Sequence, residues 1–179
     1  LRIHGAEEVD FPGIAEALIE RNDLGASDAI VYLQVTRGAA PRKHAFPAAD
    51  VPPTIYGYAS AYDVPVQQLE QGVKAILAPD IRWARCDIKS VSLLPNVLAS
   101  QQAREQDAAE AVFIRDGAVT EASHSNFAAI IDGTFVTAPL SNYILGGITR
   151  GVALRLCREL NIPVREFPIL EAELARADE

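Results

Sequence analysis

The chain has 179 residues, 49% of them apolar, with a formal net charge of −8 and a pI near 4.9. That is enough to bury a core in one compact domain or two small ones, and it excludes a disordered polymer. Lys and Arg never gather into a basic stripe and no apolar run approaches a membrane span, so neither nucleic acid nor a membrane is an expected partner.

In chain order, Asp10 and Pro12 open a run with apolar residues at 11, 14, 15, 18 and 19, which predicts a capped amphipathic helix packed on a sheet. Residues 29–36 and 54–60 are rich in β-branched and aromatic side chains and bounded by Gly and Pro, so both are expected strands, with Tyr32 and Tyr58 as sheet residues. Between them runs a long irregular segment, Arg37 to Pro47, carrying Arg42, Lys43 and His44 between prolines; such loops often carry function. Tyr62–Pro65 suggests a linker, giving a small α/β domain over 1–61 and a larger β-rich domain over 66–179.

In that second part, 73–78 and 85–91 are strand-like, and Ser92 is expected to open a helix through Ala103 with Pro95 in its first turn, where no backbone donor is missed. Asp116-Gly117 and Asp132-Gly133 each sit between β-rich runs and predict hairpins, making 110–137 antiparallel β. A helix over 148–160, a short strand at 164–167 and a closing helix near 170–176 complete the pattern. Cys86 and Cys157 show no metal-ligand spacing and are expected as reduced thiols; no metal is expected. No charged-then-apolar signal segment opens the chain, so the expected compartment is the cytosol.

Three segments point to a chemistry. Lys89 lies in Arg85-Cys-Asp-Ile-Lys-Ser90, and Glu121 opens Glu-Ala-Ser-His-Ser-Asn126. A lysine able to form a Schiff base and a carboxylate able to hold a pyridine nitrogen are the two fixed groups a pyridoxal phosphate enzyme needs. Leu145-Gly-Gly-Ile-Thr-Arg150 adds glycines opening into a helix, a usual way to hold a phosphate.

These segments resemble the class IV, fold type IV pyridoxal phosphate aminotransferases. The resemblance covers essentially the whole chain and rests on Glu121-x-Ser123-x-x-Asn126-Phe127, Phe135-Val-Thr137 and Leu145-Gly-Gly-Ile-Thr-Arg150. Gln34 to Gly38, Pro41 to Pro47 and Asp80 to Ser90 are similar to the D-amino acid transaminase branch. It implies an α+β fold with a small N-terminal and a larger C-terminal domain, both truncated, because the family's chains extend beyond the points matching Leu1 and Glu179. It further implies that Lys89 holds the cofactor and carries protons, and that Glu121 bonds the ring nitrogen. Leu145, Ile148 and Thr149 would serve cofactor binding, the last two at its phosphate.

Arg42 and His44 would bind the substrate carboxylate, reaching into a neighbouring subunit of a homodimer. Arg82 and Trp83 are expected to pack and pair near the site. D-alanine, 2-oxoglutarate and D-glutamate are the implied substrates. Ala128 replaces a usual aromatic residue, and His124 stands where a serine is common. A branched-chain L-amino acid transaminase, an aminodeoxychorismate lyase and a cofactor-binding remnant without turnover are the alternatives left open.

Overall fold

A computed structural model describes residues 1–179, which divide into two compact units, Leu1–Gln67 and Gln68–Glu179. In the first, a 3-10 helix (Ala6–Glu8) precedes α1 (Phe11–Arg21), whose N-cap Asp10 accepts a bond from the Gly13 amide at 3.0 Å, as the Asp-Phe-Pro start requires. α1 lies against an antiparallel pair, β1 (Ala29–Thr36) and β2 (Thr54–Ala61), with Ala29 opposite Ala61. Tyr32 and Tyr58 are sheet residues whose rings stack 5.4 Å apart on an exposed face, with Tyr56 beside them. No side chain of this unit is fully buried.

The chain passes through Tyr62–Pro65 into α2 (Val66–Gln71), which spans the division between the units. The second unit holds two sheets. One runs β3 (Ala75–Pro79), β4 (Glu110–Arg115), β5 (Ala118–Ala122), β9 (Ile169–Leu170); the other runs β6 (Ala128–Ile131), β7 (Thr134–Thr137), β8 (Val164–Glu166). β3 pairs parallel to β4 and β7 parallel to β8, while the hairpins β4–β5 and β6–β7 are antiparallel. Both hairpins turn on the Asp-Gly pairs, with φ of 52° and 76° at Asp116 and Gly117. That is the left-handed geometry a two-residue hairpin needs and Gly tolerates.

β4 is apolar on both faces because both are covered. Phe113 and Ala111 pack with Ala78 of β3 and with Ala99 and Ala103 of α3 (Leu94–Glu105), the small side chains letting the helix come close. Val112 joins Val119, Ala122, Ala129, Val136 and Ile169 in a second cluster between the sheets. α4 (Ile148–Glu159) follows the hairpins and buries Arg150, Leu154 and Cys157. No helix is long and apolar enough to cross a membrane.

Three expectations need correction. Residues 85–91 form no strand: the Ile88 amide turns back to the Arg85 carbonyl, Arg85 pairs with Asp87, and the Cys86 amide is taken by Asn142, so no ladder partner remains. Ser92 does not cap α3, which starts at Leu94 behind Leu93 with no side-chain cap. The closing helix is a 3-10 turn, Glu171–Arg176, behind β9. Residues 110–137 are antiparallel β as expected, the two hairpins lying in separate sheets.

Candidate active site

The centre of the second unit's polar chemistry is a buried ionic cluster at the ends of β3 and β5. Thr120 and Glu121 are neighbours on β5, and regular alternation would send them to opposite faces. The ladder is irregular at this point: Val112 faces Ala122 and Ile114 faces Val119, two steps on β4 against three on β5. Such a bulge re-aims side chains. Arg82 consequently meets both, donating from Nη1 to Glu121 Oε1 and from Nη2 to Thr120 Oγ1 at 3.3 Å.

The other side of the guanidinium is gripped by Asp80, with Nε to Oδ1 at 2.9 Å and Nη2 to Oδ2 at 2.8 Å. Arg115 also reaches Asp80, with Nη2 3.1 Å from Oδ1, and Thr120 Oγ1 donates to Asp80 Oδ2 at 2.9 Å. Asp80 has no exposed side-chain surface, Arg82 has 4% and Glu121 has 8%. Burial works to raise the Asp80 pKa, but the bonds from Arg82 and Arg115 prevail and hold it at about 2. Burial likewise opposes the charge on Arg82, and its bonds to Asp80 and Glu121 push its pKa above the ordinary guanidinium value.

Glu121 Oε2 is occupied from the other side, by Asn126 Nδ2 at 3.0 Å and by the Leu145 amide at 2.9 Å. Asn126 Nδ2 also donates to the Leu145 carbonyl at 2.8 Å, tying the carboxylate to the segment that enters α4. Gly147 is required there by contact, since a Cβ at this position would collide with Asn126 Oδ1. The N-cap of α4 is Gly147, with no side-chain cap, and Ile148 and Thr149 are exposed in the first turn. Their amides have no intrahelical acceptor, as at any helix start. α4 is pinned by Arg150, whose Nη2 donates to the Ala138 carbonyl and to Glu166 Oε2, each at 2.8 Å.

The structure therefore brings Glu121 and Leu145 together and presents Ile148 and Thr149 at the open helix start that follows. Lys89 lies in the irregular segment after β3, exposed. That segment is fastened to residues 142–143, with Cys86 N donating to Asn142 O, Asn142 Nδ2 to Ala84 O and Arg82 Nη2 to Tyr143 O. Arg42 and His44 are exposed in the irregular loop of the first unit. Cys86 and Cys157 are both free thiols. His124 is tied through its amide to Glu110 Oε1 at 2.7 Å and its ring lies outward.

Sequence reasoning expected Arg82 to pair near the site but missed Asp80 as its partner. The available signal was Asp-x-Arg directly after a strand, a spacing at which the carboxylate and the guanidinium can pair.

The sequence model for amino-transferase class IV matches residues 6–179. Among curated proteins, the chain is 44% identical over 166 residues to a D-alanine aminotransferase of Staphylococcus aureus, covering 93% of this chain and 58% of that protein. It is 45% identical over 184 residues to the D-alanine aminotransferase of Staphylococcus epidermidis, covering 99% of this chain and 65% of that one. The chain thus spans roughly three fifths of the length of these relatives. Among solved structures, a fold IV transaminase from Curtobacterium pusillum superposes with a TM-score of 0.77 at 21% identity, covering 96% of this chain and 59% of that one, a likeness of fold. With its buried Glu121 cluster, its glycine-led helix start and a matching model over nearly its whole length, the chain belongs to the class IV aminotransferase family.

Proposed function

We propose that the protein is a D-amino acid transaminase using pyridoxal 5'-phosphate, working as a homodimer in the cytosol on D-alanine-like donors with 2-oxoglutarate as acceptor. One observation carries the proposal: the Glu121 carboxylate is buried and fixed by Arg82, Asn126 and the Leu145 amide, in a chain 44% identical to a D-alanine aminotransferase.

The residues fit the cofactor. The uncapped start of α4 offers the Ile148 and Thr149 amides and the Thr149 hydroxyl to a phosphate, and Gly147 keeps the approach open to Asn126. Glu121 offers an anionic acceptor to a protonated ring nitrogen, and Leu145 borders it through the amide that holds the carboxylate. When bound, the cofactor supplies an electron sink for the substrate α-carbon.

The chain's own groups do the rest. Lys89 Nζ would hold the cofactor and, as a free amine, would take the proton from the substrate α-carbon and give it up again, base and acid in turn. Arg42 has a planar fork suited to a carboxylate, and His44 adds a second donor beside it; both serve the substrate α-carboxylate, in the partner copy's site. The test is a matched assay of D- and L-amino acids with 2-oxoglutarate. Turnover of D-alanine without L-alanine or L-leucine turnover is expected, and a preference for L-amino acids would overturn the reading.

A further inference from the structure

We propose that Asp80 is a positioning residue which, through Arg82 and Arg115, keeps the Glu121 carboxylate available to a protonated ring nitrogen. The inference rests on the role given to Glu121 above and adds a device behind it.

Glu121 alone cannot do what is asked of it. Arg82 is its nearest cation, and a guanidinium facing a carboxylate prefers to engage it with both arms. Such a grip would cancel the negative charge that a cationic ring needs. In the structure the grip goes elsewhere: the Nε and Nη2 side of Arg82 is spent on Asp80, and Glu121 receives a bond from Nη1 alone. Glu121 Oε2 already takes two bonds, from Asn126 and Leu145, whereas Oε1 takes one and keeps a lone pair.

Charge counting leads to the same place. Asp80 and Glu121 are two anions, Arg82 and Arg115 two cations, and the cluster is neutral. Neutralising Asp80 leaves one net positive charge in a buried cluster, next to the position where the ring nitrogen would carry its own. In such surroundings like charges disfavour each other strongly. Removing Arg115, which is 20% exposed at its side chain, leaves one net negative charge instead. The two changes therefore act with opposite sign on ring protonation, which no purely structural role produces.

The experiment loads the protein with pyridoxal phosphate carrying 15N in its ring and follows the ring-nitrogen chemical shift against pH. Circular dichroism and a melting curve run alongside. Asp80→Asn is expected to weaken ring protonation by on the order of tenfold, and Arg115→Gln to strengthen it by a smaller factor. Glu121→Gln is the control for the underlying reading. If it leaves the shift curve unchanged, Glu121 does not face the ring nitrogen, and both readings fall. If Glu121→Gln moves the curve while Asp80→Asn lowers only the melting temperature, or both Asp80→Asn and Arg115→Gln move it the same way, the role of Asp80 alone is overturned. Should Asp80→Asn fail to fold, the sign of the Arg115→Gln shift decides: upward supports the proposal, no shift or a downward one refutes it.

Discussion

Glu121 and Lys89 belong to the same unit and to the same proposed reaction, yet they are built in opposite ways. Glu121 has 8% of its side chain exposed and is held by three donors from three separate segments. Lys89 is exposed in a segment with no regular structure. A group that stabilises charge works best when fixed in advance, because nothing need reorganise during the reaction. A group that must bind, release and then carry a proton needs reach. The bulge in β5 and the Asp80–Arg82 pair supply the first; the turn through Arg85–Ile88, fastened to Asn142, leaves the second.

Substitutions at the two residues should separate these roles. Lys89→Ala should cut transamination on the order of a thousandfold or more, as loss of a nucleophile and proton carrier does. Its unfolding free energy should change by less than about 0.5 kcal/mol, because the side chain is exposed; urea titration checks the second point. Glu121→Gln should behave differently, costing about 3 kcal/mol in the proton-transfer barrier by single-turnover kinetics. It should also destabilise the fold, since in either orientation the new amide nitrogen faces a donor, Arg82 on one side or Asn126 and Leu145 on the other.

Acid should reach the fixed end selectively. The Asp80 pKa falls from an ordinary 3.8 to about 2 on folding, so its contribution, about 2 kcal/mol, is complete above about pH 4 and is lost as pH falls through about 2. Asp80→Asn should remove that part of the acid dependence of stability. The smallest effect is expected at Arg42, where Arg42→Lys should raise the KM for the amino acid by about 1–2 kcal/mol equivalent, because an ammonium lacks the planar fork. Cofactor affinity should not change.

Much of this architecture was legible from local chemistry. The capped α1, β1, the two Asp-Gly hairpins and α4 each follow from a few adjacent residues. What escaped was set by long-range pairing. The 85–91 segment has strand-like composition but no strand to pair with, and β9 exists because β5 offers it an edge. Glu121 could be singled out by its motif, yet Arg82, which binds it, and Asp80, which grips Arg82, are distant from it in sequence, and the bulge that turns Thr120 and Glu121 toward the same guanidinium leaves no mark in composition.

The most direct test uses the fact that the chain has only three lysines, Lys43, Lys74 and Lys89. Borohydride reduction of the pyridoxal phosphate-loaded protein, followed by peptide mapping, should place the label on Lys89 and leave Lys43 and Lys74 unmodified. A label on either of those, or none with the cofactor shown to be bound, would contradict the account.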